Sequence, residues 1–240
     1  MAEALSRILG PARPPLPPLP TLLLAGPARS GRSALLLRCG PAPPARGVLL
    51  APRPLERLPP GGGARVQRLH FLYPPTLGDL CRLLASLHEA QPGPPALLLL
   101  DGLEEYLAAC PSARAAARLC ALLLDAASYC SRRLGPDPAG IPGCRLLVSL
   151  KLPAEDPEAL EHLPVVRRYF PACCRLCPEA PAGTAQRVSV CLSRPGAPDR
   201  KWRVEFGPEG EMEVFSGTEA QTMLPGSDSW IPPPVQPWDS

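Results

Sequence analysis

Aromatic residues make up only 5% of this 240-residue chain, although hydrophobic residues reach 45%. A core of this composition has to be built from Leu, Val and Ala rather than from stacked rings. Lysine is scarcer still. Of 25 basic residues, only Lys151 and Lys201 are lysines, and the rest are arginine. No apolar run approaches the ~18 residues that a membrane-spanning helix needs. Pro14 to Pro20 interrupts any continuous apolar stretch near the start, so a secretory leader is not expected. The three histidines, His70, His88 and His162, stand at no metal-ligand spacing. A net charge of +3 is too mild to indicate nucleic-acid binding by itself. Ten cysteines are present, but most fall inside apolar helix or strand patterns, which suits small buried thiols in a reducing compartment. Cys173, Cys174 and Cys177 lack a convincing fourth ligand, so no zinc site is expected.

Proline and glycine, by contrast, are abundant, at 37 and 20 residues. They punctuate the chain into short segments. Residues 1–20 end in PARPPLPPLP, which reads as an extended lead-in. Residues 21–215 carry the periodic patterns of a folded domain. From Ser216 the chain is polar and proline-rich, as expected of a disordered tail over 216–240.

The most informative stretch is Thr21 to Cys39, TLLLAGPARSGRSALLLRC. An apolar run ends in Gly26, Gly31 follows five positions later, and Arg32-Ser33 opens a second apolar run that reads as a helix. The spacing is that of a phosphate-binding loop, G-x-x-x-x-G-K-[ST], with arginine at the lysine position. Glycines let the backbone approach phosphate closely, and the helix N-terminus adds partial positive charge. The nucleotide-binding candidates are therefore Gly26, Arg29, Ser30, Gly31, Arg32 and Ser33, with the Ser33 hydroxyl a candidate magnesium ligand. A guanidinium is planar and bulkier than an ammonium, so Arg32 can neutralise phosphate while positioning it less well for turnover. The residues leave open whether ATP is bound and whether it is hydrolysed.

Ala96 to Gly102 is the second signal. Four leucines between Pro95 and Asp101 suit a strand buried on both faces of a parallel sheet. Asp101 then stands at its C-terminal end, where α/β folds bind ligands, as the second magnesium candidate. Short strands are expected at 47–51, 66–73 and 144–150, and helices at 77–89, capped by Thr76, and from Ser112 to Leu134. Val188, Val190, Leu192, Trp202, Val204, Phe206, Met212 and Val214 alternate with polar residues, as in antiparallel strands with one wet face. The fold class expected is α/β: a mostly parallel P-loop core followed by C-terminal antiparallel strands.

This layout resembles the RecA-type recombinase ATPases. HFLYPPTLGDLCRLLASLHEA (70–90), LLLLDGLEEYLA (97–108) and RRYFPA (167–172) resemble, more closely, the family of SWIM-type zinc finger associated proteins. The resemblance implies a RecA-like subunit of a Shu-type complex that acts in the nucleus in homologous recombination and double-strand break repair. It implies ATP and magnesium as ligands and a DNA-stimulated ATPase activity. As partners it implies a SWIM-domain zinc-finger protein, the strand-exchange recombinase and its paralogues, and single-stranded DNA, with no membrane. Two features depart from the RecA pattern: Arg32 itself, and Leu50-Ala51-Pro52-Arg53, where RecA-type ATPases usually carry a catalytic glutamate. The polar residue expected on the next strand is Ser149 or Lys151. Arg132, Arg133, Arg167 and Arg168 are candidates for DNA contact, although solvated arginines explain them nearly as well. An autonomous P-loop ATPase or kinase, and a nucleotide-free scaffold, remain as alternatives.

Overall fold

A computed structural model describes residues 19–41, 44–55, 63–87, 93–135, 143–179, 186–207 and 211–216. The proline-rich segment 1–20 and the tail 216–240 thus fall almost wholly outside the described residues. In chain order the elements are β1 (Thr21–Gly26), α1 (Arg32–Arg38), β2 (Gly47–Leu50), α2 (Gly63–Val66), β3 (Leu69–Leu72), α3 (Leu77–Ala85) and β4 (Leu97–Leu100). There follow α4 (Leu103–Ala108), α5 (Ala113–Leu134), β5 (Arg145–Lys151), a 3-10 turn at Pro157–Ala159 and α6 (Leu163–Tyr169). The chain closes with β6 (Cys173–Pro178), β7 (Gln186–Arg194), β8 (Ala197–Phe206) and β9 (Met212–Ser216).

The nine strands form one sheet in the order β3-β2-β4-β5-β1-β6-β7-β8-β9. Strands β1 to β6 pair in parallel, and β6 to β9 pair antiparallel. The leucine runs are strands because each feeds two cores at once. Leu98 and Leu100 of β4 face one apolar layer, and Leu97 and Leu99 the other. β1 divides in the same way, with Leu23 and Ala25 on one side and Leu22 and Leu24 on the other. This two-residue alternation is the geometry of a strand. A helix of the same composition would have to bury its whole circumference. Truncating Leu98 to Ala would cost about 2–5 kcal/mol through the cavity left behind.

One layer is built by α3, α4, α5 and α6, whose apolar stripes include Leu80, Leu107, Leu123 and Val166. The other is built by α1 and the inner faces of β7 and β8, including Leu36, Val190, Trp202 and Val204. Thr76 accepts a hydrogen bond from the Asp79 amide at 3.1 Å and caps α3. Ser112 caps α5 through the Ala115 amide at 3.3 Å.

Three local differences from the sequence reading have clear causes. Residues 63–66 form a helical turn, so the strand expected over 66–73 is confined to Leu69–Leu72. The segment after Asp101, given no element from the sequence, is helical: Gly102 at φ +85° starts α4, and Leu103, Tyr106 and Leu107 are buried. The cysteine cluster proves to be strand β6, paired in parallel to β1, with Cys174 buried and Cys173 partly so. Among the described residues no three or more His, Cys, Asp or Glu side chains come together as a metal-ligating group, and no helix is long and apolar enough to cross a membrane.

Candidate nucleotide-binding site

β1 delivers Gly26 to the C-terminal edge of the parallel strands, and the chain then turns into α1. The turn needs two unusual backbone positions, Arg29 at φ 59° and Gly31 at φ 81°. Gly26 is required for space, since a Cβ there would lie 2.8 Å from both the Leu176 carbonyl oxygen and the Ser30 hydroxyl. At Gly31 a Cβ would lie 2.5 Å from the ring of Phe206, which closes over the loop from the end of β8. The Gln186 side-chain amide, from the start of β7, donates to the Arg29 carbonyl. The antiparallel extension therefore braces the outside of the loop. Neither Phe206 nor Gln186 could be found from sequence, because nothing in the local pattern marks a residue 157 or 175 positions away as a neighbour.

Arg32 turns its guanidinium back into the loop. One terminal nitrogen donates to the carbonyl of Gly26, to that of Pro27 at 3.1 Å, and to that of Leu150 on β5 at 3.4 Å. Burial pulls the guanidinium below its ordinary pKa, while the carboxylates of Glu104 and Asp101 act in the opposite direction. Its Nε is buried without a partner, as is the Ser30 hydroxyl, and Ser30 itself is 1% exposed. A desolvated positive charge, an orphan N–H and a buried hydroxyl in a loop with two positive-φ turns suit a phosphate group, which would bring both acceptors and negative charge. The donor set fits a nucleotide phosphate.

Asp101 ends β4, its amide bonded to the Leu50 carbonyl at 2.8 Å. Ser149, on the adjacent strand β5, is buried. Its hydroxyl donates to Asp101 Oδ1 and accepts from the Gly102 amide at 3.0 Å. Of the two residues considered for this role, Ser149 is the one whose side chain meets Asp101. Lys151 offers only its backbone N–H, to Glu104 Oε2 at 2.9 Å. Ser33, in the first turn of α1, and Asp101, with one carboxylate oxygen engaged by Ser149, are the residues that would hold magnesium.

Glu104 was not singled out from the sequence, yet it joins Asp101 as a counter-charge to Arg32. Its signal was weak: an acid three positions beyond the strand end in DGLEE. At the end of β2, Arg53 stands where a catalytic acid would be expected and pairs with Glu105 at 2.9 Å. That pair is exposed, and it places a cation rather than a carboxylate at this corner.

The candidate DNA contacts do not gather at this edge. Arg132 and Arg133 lie exposed in the last turn of α5, whose end packs against the segment leading into β5 and hence at the opposite sheet edge. Arg167 makes two 2.6 Å bonds to the carboxylate of Glu158, which Arg175 also approaches at 3.5 Å. Arg168, beside it, is exposed.

The ATPase SWSAP1 of Homo sapiens is 44% identical to this chain over 207 residues, covering 81% of the chain and 88% of the relative. The ATPase SWSAP1 of Mus musculus is 42% identical over 238 residues, covering 89% and 81%. No family profile matches. Among solved structures, the crystal structure of the RadB recombinase aligns with a TM-score of 0.58 at 15% identity, covering 88% of this chain and 96% of that one. The ATPase domain of G40P aligns with a TM-score of 0.55 at 10% identity over 80% and 84% of the two chains. A DnaB-like replicative helicase aligns with a TM-score of 0.53 at 9% identity over 80% and 57%. These structural likenesses establish the fold, an α/β RecA-like P-loop core with a mostly parallel sheet and antiparallel C-terminal strands.

Proposed function

This chain belongs to the SWSAP1 family, and from that premise we propose that it is a RecA-like subunit of a nuclear recombination-mediator complex of the Shu type. In this reading it joins a SWIM-domain zinc-finger protein, binds single-stranded DNA, and supports the strand-exchange recombinase and its paralogues in double-strand break repair. The functional unit is the domain 21–215. ATP with magnesium serves chiefly to order the subunit, through Gly26, Arg29, Ser30, Gly31, Arg32 and Ser33, with Asp101 as the second metal-side residue. Bound nucleotide would supply the anionic acceptors that the loop's donors lack.

The observation that carries the nucleotide part is the buried Arg32 guanidinium with its orphan Nε, inside a loop of the right spacing. The same residue argues for slow turnover. Its terminal nitrogen is committed to three backbone carbonyls, and Arg53 occupies the corner where an acid would activate water. Positioning supplies most of phosphoryl-transfer catalysis, so a binding site with these two changes orders the subunit more than it turns over.

A magnesium–ATP thermal titration tests this. Ligand at a hundred times its Kd stabilises the folded state by ~2.7 kcal/mol. For a chain of this size that amounts to roughly 5–10 °C. A shift of that order with little turnover, and faster turnover in Arg32→Lys, is the expected result. No shift at millimolar ATP would refute nucleotide binding and select the second reading, a nucleotide-free scaffold. That reading draws on the same bonds, which order the loop from within the chain.

A further inference from the structure

The two acids that follow the end of β4 part company. β4 lies between β2 and β5 in the sheet. Glu105 turns toward the β2 side, where it pairs with Arg53 at 2.9 Å. Glu104 turns the other way, over β5, and its Oε2 accepts a hydrogen bond from the Lys151 amide at 2.9 Å. The phase of α4 fixes this split. Leu103, Tyr106 and Leu107 are buried, and the Tyr106 hydroxyl donates to the Pro74 carbonyl at 2.7 Å. The helix therefore does not rotate to exchange the two acids.

Lys151 is the residue of β5 directly opposite Gly26, the first glycine of the phosphate loop, in the β1–β5 ladder. Neighbouring strands stand ~4.8 Å apart. The Glu104 carboxylate is thus anchored one strand away from the loop, half-buried, on the side where Arg32 turns inward. Of the two carboxylates that act on the Arg32 guanidinium, Glu104 acts more strongly than Asp101. Yet Arg32 commits its bonds to the carbonyls of Gly26, Pro27 and Leu150. The second oxygen of Glu104 has no partner among the described residues. Acid and cation attract each other without a bond between them. The loop beside them holds two more groups without partners, the buried Ser30 hydroxyl and Arg32 Nε. A carboxylate held by a backbone amide, with one oxygen free at the mouth of a phosphate loop, is placed to orient a water and take its proton.

We propose that Glu104 is the acid of this site, taking from the β4 side the part that the β2 corner, occupied by Arg53, does not fill. The proposal rests on the nucleotide reading above and gives its hydrolytic step a residue. In that step the oxygen of a water bonds to the terminal phosphorus of a nucleoside triphosphate. The bond from that phosphorus to the bridging oxygen breaks, and the nucleoside diphosphate leaves with the electron pair. The proton of the water passes to Glu104 and from there to solvent. With Arg32 still committed to the loop, turnover stays slow.

The test uses the full chain, both as it stands and as Arg32→Lys, where faster turnover is expected. Glu104→Gln keeps an oxygen for the Lys151 amide while losing the charge, and Glu105→Gln is the control. Calorimetric titration compares magnesium–ADP with the magnesium complex of the β,γ-imido analogue of ATP, so that binding is read without hydrolysis. Two like unit charges about 6–7 Å apart, in a dielectric of about 40–80, weaken binding about 3–8-fold. Glu104→Gln should therefore bind the triphosphate analogue about 3–8-fold more tightly and leave ADP unchanged. In the Arg32→Lys chain it should slow single-turnover hydrolysis by about 100-fold or more. Glu104→Asp should keep the parent's ratio of the two affinities and recover part of the rate, while Glu105→Gln should match its parent in both measurements. Equal weakening of both nucleotides in Glu104→Gln would reduce Glu104 to a support for β5 and overturn the proposal. Loss of turnover in Glu105→Gln instead would overturn it as well. Unchanged affinities and turnover in Glu104→Gln would overturn it while leaving nucleotide binding intact. Binding of neither nucleotide to either parent chain would overturn the nucleotide reading itself, and the proposal with it.

Discussion

Replacing Arg32 by Ala should destabilise the protein in the absence of nucleotide, even though it removes a charge from a desolvated place. Three backbone carbonyls, on Gly26, Pro27 and Leu150, lose the donor that joins the loop to β5, although Gly26 still accepts from the Leu152 amide at 2.9 Å and Pro27 from the Ser30 amide at 3.4 Å. Hydrogen bonds from charged donors contribute about 1.5–3 kcal/mol each when well made. Against them stands the cost of holding a guanidinium away from water, which is what pulls its pKa down. Asp101 and Glu104 recover part of that cost and would lose this cation. The balance favours the native residue by about 2 kcal/mol, since only the Gly26 and Pro27 contacts are short enough to count fully. A domain of this size shifts by about 2–4 °C per kcal/mol, so Arg32→Ala should melt about 4–8 °C below wild type in differential scanning calorimetry. Arg32→Lys keeps the charge but ends one bond short of the nitrogen that meets the three carbonyls, and it should fall between the two. If Arg32→Ala melts at or above wild type, desolvation outweighs the bonds, and the loop is not held together by this side chain.

Ser149→Ala should cost about 2 kcal/mol, because it removes the donor to Asp101 and leaves the Gly102 amide without its acceptor. Urea unfolding would register this as a lower midpoint at unchanged m-value, and an unaltered midpoint would mean that water replaces the hydroxyl. Gly31→Ala should be destabilising twice over, through its φ of +81° and through the Phe206 ring 2.5 Å from the new Cβ. Phe206→Ala in the same chain should rescue the steric part but not the backbone part, roughly 1–2 kcal/mol, and full rescue would contradict the left-handed conformation. The bonds from Arg167 hold the Glu158 carboxyl below the usual carboxylate range. A depressed carboxylate contributes stability above its unfolded pKa and loses it as pH falls through the folded one. The acid limb of the melting profile should therefore flatten in Glu158→Gln, and an unchanged limb would show that this exposed pair contributes nothing.

How much of this was legible in the sequence depends on the range of the interactions. β1, β4, α3 and α5 announce themselves through apolar runs between proline and glycine and through the caps Thr76 and Ser112, all of which act within a few residues. Gly26, Gly31 and Ser33 are readable because phosphate loops impose a spacing, and Asp101 because it ends a run of four leucines. What could not be read depends on pairing at long range. β6 reads as a cysteine cluster because strand pairing with β1 leaves no local mark, and its first four residues alternate only between half-buried and buried before Cys177 and Pro178 emerge. Phe206 and Gln186 reach the loop across the sheet. Arg46, Arg68 and Arg145 are the clearest case, since they are scattered over a hundred positions and share one sheet edge only because parallel strands all begin at one side.

Arg32 shows how far each kind of information reaches. In a chain with two lysines among 25 basic residues, arginine at the phosphate-loop position carries little meaning by itself. The composition would put it there without any demand from the site. The surroundings are what give it one. Loop carbonyls, the carbonyl of Leu150, and the carboxylates of Asp101 and Glu104 converge on this guanidinium. A longer side chain carries one terminal nitrogen to all three carbonyls, whereas the ammonium of a lysine ends one bond short of that position. The loop therefore acquires internal cross-links that a lysine would leave to the nucleotide. A bound nucleotide must then compete for donors already engaged, while still offering the orphan Nε its only acceptor. Ordering and turnover are separated by this one substitution, and Arg32→Lys is the variant that should trade the first for the second.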